Sequence, residues 1–217
     1  PAVQDLVYTT LRRYGFGDAL LDRLLDRPLD VPEIRALLLV ALQRLEVRPD
    51  SAFTVVDQAV EAAGTFARGR LRALANGVLR NALRRWDELV AEVEADDVVR
   101  HGLPGWWLAE LQRAYPDHWQ AIAEAGNQAP PMALRANRRR ATPAEYLDRL
   151  RDAGIEAELR GESGLLLGRP LPVDRLPDFA AGVVSVQDLG AQRAAELLDP
   201  APGSRVLDAC AAPGGKT

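Results

Sequence analysis

The chain has 217 residues, of which 47% are apolar and 27% are charged, and its formal net charge is −4. This composition is ordinary for a soluble protein of one large or two small domains, and its mild acidity argues against an indiscriminate polyanion binder. The longest apolar run, residues 36–42, is far shorter than the roughly 20 residues of a spanning helix, and no secretory signal opens the chain, so we expect a cytoplasmic protein without membrane contact.

Apolar residues recur at helical spacing throughout residues 1–125. Pro32 is placed to open one helix, and Ser51 is predicted to cap the next. The longest stripe predicts a single amphipathic helix over residues 71–93. Gly77 lies inside that stripe and predicts the close approach of a neighbouring helix, since glycine otherwise weakens a helix.

The periodicity changes after Pro130. The segment 142–145 reads T-P-A-E, which is a capping box with proline in the first helical position. Alternating or short apolar runs predict strands around this helix. Those runs are PMALRAN, residues 155–160, LLL and VVSV. A further helix is predicted over residues 188–198, followed by a turn into a strand with the sequence RVLDA.

The last strand leads into a loop with the sequence AAPGGKT, at the point where α/β domains bind ligands. A nucleotide P-loop is excluded because Cys210 stands where that motif needs its first glycine and Pro213 lacks a backbone donor. The dinucleotide pattern is excluded because Gly214 and Gly215 are adjacent. Paired glycines and free amides suit a ligand that approaches the backbone closely and carries a carboxylate.

The ten residues DACAAPGGKT resemble the first cofactor-binding motif of the S-adenosylmethionine-dependent RNA 5-methylcytosine methyltransferases of the RsmB/NOP2/Sun family. The resemblance implies that S-adenosylmethionine is the cofactor and that one run of residues contacts it, mostly through the backbone. These residues are Cys210, Ala211, Ala212, Pro213, Gly214, Gly215 and Lys216. In the family, one further cysteine attacks C6 of the cytosine and another assists release. Both are expected beyond Thr217, and Cys210 itself is expected to be a packed thiol.

The resemblance continues upstream, in residues 101–137 and 183–192, and the helical segment is similar to the family domain related to the antitermination factor NusB. It implies a multidomain chain with an all-α NusB-like domain at residues 1–125 and a small α+β domain at residues 126–200. The start of a Rossmann-like α/β methyltransferase domain is expected at residues 201–217, with the catalytic domain truncated after its first motif. The implied partner is ribosomal RNA, and we expect a monomer.

Two arginine clusters are candidates for RNA contact. On a helical wheel, the first cluster falls opposite the apolar stripe that begins at Leu71, and the second precedes the α+β unit. Their members are Arg70, Arg80 and Arg84, then Arg135, Arg138, Arg139 and Arg140. The alternative for the first cluster is an ordinary solvated helix face.

No metal site is expected, because His101 and His118 have no cysteine or paired carboxylate beside them. The aromatic residues of this region occur at helical spacing and are predicted to be core rather than platforms for stacking bases. They are Trp106, Trp107, Tyr115 and Trp119. The leading prediction is thus part of a ribosomal RNA cytosine-C5 methyltransferase that is inactive by itself, and the alternative is a non-catalytic RNA-binding or antitermination module of the NusB type.

Overall fold

A computed structural model describes residues 2–212 and divides the chain into two compact units, residues 1–128 and residues 129–217. The first unit is helical, and the second is built on an antiparallel sheet. This succession confirms the predicted fold class of a helical domain followed by a small α+β domain. None of the helices within residues 2–212 is long and apolar enough to cross a membrane.

The helical unit contains nine α-helices among the described residues. In chain order they are α1 Ala2–Arg12, α2 Tyr14–Leu24, α3 Pro32–Val47, α4 Ala52–Ala63, α5 Arg72–Arg84, α6 Trp86–Val93, α7 Asp97–His101, α8 Gly105–Ala114 and α9 Trp119–Asn127. Pro32 stands in the first turn of α3, as predicted. Two 3-10 turns, Pro49–Ser51 and Ala67–Gly69, precede α4 and α5.

The core of this unit surrounds α3, whose apolar face is buried against α2, α4 and α5. The largest side chains with no significant exposure are leucines and one isoleucine, which explains why helical apolar spacing was readable in the sequence. They are Leu20, Leu21, Ile34, Leu38, Leu42, Leu79 and Leu89. Truncating one such leucine to alanine costs about 2 to 5 kcal/mol in comparable cores.

The single helix predicted over residues 71–93 is wrong, because the chain breaks at Arg85, where φ is −117° and ψ is 18°. The break lets α6 turn and pack against α2, where Arg23 pairs with Glu92 at 2.5 Å. Gly77 is also not a site of close approach, since a Cβ built there would meet no atom within 4 Å.

Ser51 occupies the N-cap position of α4, as predicted. Its side chain makes no capping hydrogen bond, because Ser51 belongs to the 3-10 turn Pro49–Ser51 that leads into α4.

The second unit contains four short strands and two helices among the described residues. They are β1 Ala133–Ala136, α10 Pro143–Asp152, β2 Ala157–Arg160, β3 Gly164–Leu167, β4 Val184–Val186 and α11 Leu189–Leu198. All adjacent strands are antiparallel, in the order β2-β3-β1-β4, so β1 and β2 flank β3 in a split βαβ arrangement. These strands and helices confirm the elements predicted for residues 131–198.

The capping box predicted at the start of α10 is present. The Glu145 amide donates to Thr142 Oγ1 at 3.2 Å, and the Thr142 amide donates to Glu145 Oε2 at 2.7 Å. The Thr142 amide, and then the Thr142 hydroxyl, donate to the Glu145 carboxylate and hold its pKa below the usual value. Gly154 follows the helix with a φ of +70°, the left-handed conformation that glycine adopts without strain.

Tyr146 and Leu150 of α10 lie fully buried against Leu134 and Leu165 of the sheet. The Tyr146 hydroxyl donates to the Pro177 carbonyl at 2.8 Å. Burial and then the charge of Asp178 raise the pKa of Tyr146 to about 12.

Helix α11 packs on β1 through Gln192, which is only 7% exposed. Its Nε2 donates to the carbonyls of Leu134 and Gln187, at 3.2 and 3.1 Å. Gly164 permits this packing, because a Cβ there would lie 2.6 Å from Leu189 Cδ2 and would collide with the Arg160 carbonyl.

Candidate functional site

The described part of the predicted cofactor loop is short and open. Cys210, Ala211 and Ala212 are all exposed, and the Cys210 amide donates to Asp208 Oδ1 at 3.0 Å. The predicted contacts Pro213, Gly214, Gly215 and Lys216 lie outside the described residues. Small side chains at positions 211 and 212 leave the backbone accessible, so the described residues fit a cofactor that is held by main-chain groups.

Two local predictions about this segment are wrong. The RVLDA run does not form a strand, because residues 205–209 pair with no strand of the described sheet. Cys210 is an exposed thiol rather than a packed one, since no described element covers it. Neither correction concerns the identity of the residues that would contact a cofactor.

The segment between β4 and α11 contains buried polar side chains that sequence reasoning missed as structural anchors. Asp188 caps α11 by accepting from the Ala191 amide at 3.1 Å. Gln187 is 7% exposed, and within the described residues its Oε1 has no hydrogen-bond partner. The sequence did contain a signal for these anchors, because Gln187 and Gln192 lie five residues apart just after the predicted strand VVSV.

The first arginine cluster lies on α5 and the turn before it. Arg80 and Arg84 are exposed on the side of α5 opposite its buried residues, as the helical wheel predicted. Their guanidinium groups meet only the neutral side chains of Asn76, at 3.0 Å, and Asn81, at 3.4 Å. Arg70 is exposed too, but it precedes the helix, so its placement on the wheel is wrong.

Backbone strain marks the turn that carries this cluster. Ala67, Arg68 and Gly69 have φ values of 45°, 54° and 75°, three successive left-handed residues. For a residue with a Cβ this conformation costs roughly 1 to 2 kcal/mol. The turn closes through the Gly69 amide, which donates to the Phe66 carbonyl at 2.8 Å.

The second arginine cluster is part of the sheet unit and does not precede it, which corrects its predicted place. Arg135 lies within β1, and Arg138, Arg139 and Arg140 form the turn between β1 and α10. Arg138 pairs with Glu162 at 3.2 Å. Arg139 and Arg140 are exposed and make no ion pair with a described residue.

The predicted burial of the aromatic residues is wrong for three of the four. Trp106, Trp107 and Tyr115 are 68%, 47% and 53% exposed, because only Leu108 of the helix that carries both tryptophans is buried. Trp119 does pack, with its ring edge-on to His101 at a centroid distance of 5.1 Å. Helical spacing alone does not say which face of a short helix is covered.

Two family models match the chain. The NusB family matches residues 1–84, and the Methyltr_RsmF/B-like, ferredoxin-like domain matches residues 103–174. The chain contains a NusB-family domain followed by an RsmF/B-like ferredoxin-like domain. The second match contains β1, α10, β2 and β3 of the sheet unit, and the first match contains α1 to α5.

Several proteins that are similar along nearly the whole chain carry the name Ribosomal RNA small subunit methyltransferase B. The chain is 43% identical to the protein of Pseudomonas syringae pv. tomato over 99% of its own length and 49% of that protein. It is 41% identical to the Vibrio cholerae protein and 39% identical to an Escherichia coli protein, again over 99% of the chain. The chain therefore spans about half the length of these relatives.

A solved structure titled "Crystal Structure of PH0851" shares the fold. The TM-score is 0.73, with 20% identity, over 99% of this chain and 50% of the other. At this level of identity the likeness concerns the fold alone.

Proposed function

We propose that the chain is the RNA-handling part of an S-adenosylmethionine-dependent methyltransferase that modifies C5 of a cytosine in small-subunit ribosomal RNA. The observation that carries the proposal is the identity of about 40% along nearly the whole chain to proteins named for ribosomal RNA methylation. The resemblance of DACAAPGGKT to a cofactor motif supplies the methyl donor, and the cytosine specificity follows from the same resemblance.

The cofactor is assigned to the loop from Cys210 to Lys216. S-adenosylmethionine would supply the activated methyl group, and the loop would bind its amino-acid part mostly through main-chain groups. Ala211 and Ala212 suit that role because they place no bulky side chain at the surface.

By itself the chain is expected to be inactive. The proposed chemistry uses two cysteines besides Cys210, and Cys210 is the only cysteine of the 217 residues. One exposed loop also buries too little of a ligand to hold it. Titration calorimetry of the chain with S-adenosylmethionine should therefore detect little or no heat, and tight binding would contradict this part of the proposal.

Ribosomal RNA is assigned to the two arginine clusters. Arg70, Arg80 and Arg84 are exposed and have no carboxylate partner among the described residues, so each has charge to offer a phosphate. Arg135, Arg138, Arg139 and Arg140 would add a second contact on the sheet unit. We also propose that the protein is a monomer and acts in the cytoplasm.

The RNA assignment is tested by fluorescence anisotropy with a labelled small-subunit ribosomal RNA helix. Replacing Arg70, Arg80 and Arg84 with glutamine should lower the slope of log affinity against log salt by about 3, because each phosphate contact contributes about 0.9. An unchanged slope would remove the first cluster from the interface.

A second candidate function is a non-catalytic RNA-binding or antitermination module, favoured by the NusB match at residues 1–84. Sequencing the gene past the codon for Thr217 separates the two. A following α/β domain with two cysteine motifs supports the methyltransferase, and its absence supports the module.

A further inference from the structure

The turn before α5 contains an arginine to which the RNA assignment above gives no role. Arg68 is exposed, and no polar group of the described residues contacts its side chain. It lies in a stretch from Ala62 to Trp86 that holds six arginines and no acidic residue. Other arginines of the helical unit do have carboxylate partners, as Arg13 has in Glu46 at 2.8 Å.

One neighbouring arginine of this stretch is neutralised within the fold. Arg85 pairs with Glu88 at 2.9 Å. Arg72 is exposed and makes no ion pair with a described residue. The unpaired charge of the segment is therefore carried by Arg68, Arg70, Arg72, Arg80 and Arg84.

The backbone holds Arg68 in a fixed, strained shape. Phe66 and Leu71 flank the turn and pack against the helical core, so the chain is anchored on both sides. Between the anchors, Ala67 and Arg68 keep left-handed φ values that side chains disfavour. Such strain persists where the surroundings over-determine it, and it is concentrated at binding sites.

We infer that the turn formed by residues 67–70 is a preformed contact for the RNA phosphate backbone, and that Arg68 binds a phosphate there together with the α5 arginines. This inference rests on the proposed RNA binding and extends it to Arg68 and to the strained turn that holds it. A rigid turn loses little conformational freedom on binding, which favours affinity. Arg68 would contact a charged phosphate and no base, so this contact would not depend on the RNA sequence.

The test uses the full chain and a short fluorescein-labelled RNA duplex, with anisotropy measured over a series of salt concentrations. Arg68→Asn removes the charge, and asparagine tolerates the left-handed backbone. We expect its affinity to fall about fivefold near 0.1 M salt and its salt slope to fall by about 1. The matched control Arg85→Asn removes an arginine that Glu88 already neutralises, and it should bind as the wild type does.

Three other outcomes of these measurements would contradict the inference or the RNA proposal beneath it. Wild-type binding by Arg68→Asn, with loss of binding when Arg80 and Arg84 are changed together, overturns the Arg68 contact but leaves the α5 face. Equal losses in Arg68→Asn and Arg85→Asn indicate a general charge effect and also overturn it. A wild-type chain without salt-dependent RNA binding removes the RNA proposal itself.

A folding defect is separated from a binding defect by a second variant. If Arg68→Asn melts at a lower temperature than the wild type, Arg68→Gly replaces it, because glycine relieves the left-handed strain and carries no charge. A folded Arg68→Gly with wild-type affinity would overturn the inference.

Discussion

In the helical unit the free arginines of α5 face solvent, whereas the sheet unit directs several polar side chains inward. Arg80 and Arg84 meet only neutral partners and do not hold the fold together. Tyr146 and Gln192 are buried, and each donates to main-chain carbonyls. Because the polar side chains are exposed in α5 and buried in the sheet unit, similar substitutions should have different effects. In α5 they should change ligand binding, and in the sheet unit they should change stability.

Alkaline pH gives the largest expected effect and acts on the sheet unit. Tyr146 has a pKa raised from 10.0 to about 12, so its folded form resists ionisation. Its contribution is complete below pH 10 and is lost as the pH rises from 10 to 12. We expect the free energy of unfolding to fall by about 2 kcal/mol across this window, measured by urea unfolding followed by circular dichroism. Tyr146→Phe should remove this dependence, and a wild-type profile in that variant would contradict the assignment.

Gln192→Leu should destabilise the sheet unit by about 1.5 kcal/mol, because two buried carbonyls lose their donor. Urea unfolding measures the change. Arg193→Leu, at an exposed neighbouring position of α11, is the matched control and should cost less than about 0.5 kcal/mol. Equal losses in the two variants would show that the hydrogen bonds of Gln192 do not anchor α11.

Charge reversal at Arg138, Arg139 and Arg140 tests whether the sheet unit contacts RNA as well as the helical unit. We expect RNA affinity to fall about tenfold, with a salt slope lower by about 2, since Glu162 already occupies Arg138. Fluorescence anisotropy with the ribosomal RNA helix measures both quantities. Unchanged affinity and slope would confine RNA contact to the helical unit.

Gly77→Ala should give the smallest effect, a gain of about 0.8 kcal/mol in unfolding free energy. The position has open space around it, so the added methyl group meets nothing and the helix gains propensity. Thermal unfolding measures the gain, and RNA affinity should stay constant. A loss of stability would indicate a close neighbour that the described contacts do not contain.

The sequence predicted those features that depend on neighbouring residues. The capping box at Thr142 and Glu145 needs only four consecutive residues, and it is present. The helical character of residues 2–127 follows from apolar spacing that a buried face requires. The strand that carries Arg135 was predicted from its own residues, but its pairing with β3 and β4 depends on distant residues that no local pattern records.

The remaining features depend on contacts between distant residues. Periodicity continues across Arg85, so the break appears only when α6 packs on α2. The spacing of Trp106 and Trp107 suits a core, yet nothing in a spacing tells whether another element covers that face. For the cofactor loop, the motif named the residues, and the described geometry adds only that Cys210 to Ala212 are open to solvent.

The exposure of Cys210 has a practical consequence, because no second thiol exists in the 217 residues. A maleimide dye will therefore attach at one position, beside the glycine pair that is assigned to the methyl donor. A change in the emission of that dye on adding RNA would report whether RNA approaches this loop, and S-adenosylmethionine should leave the emission unchanged.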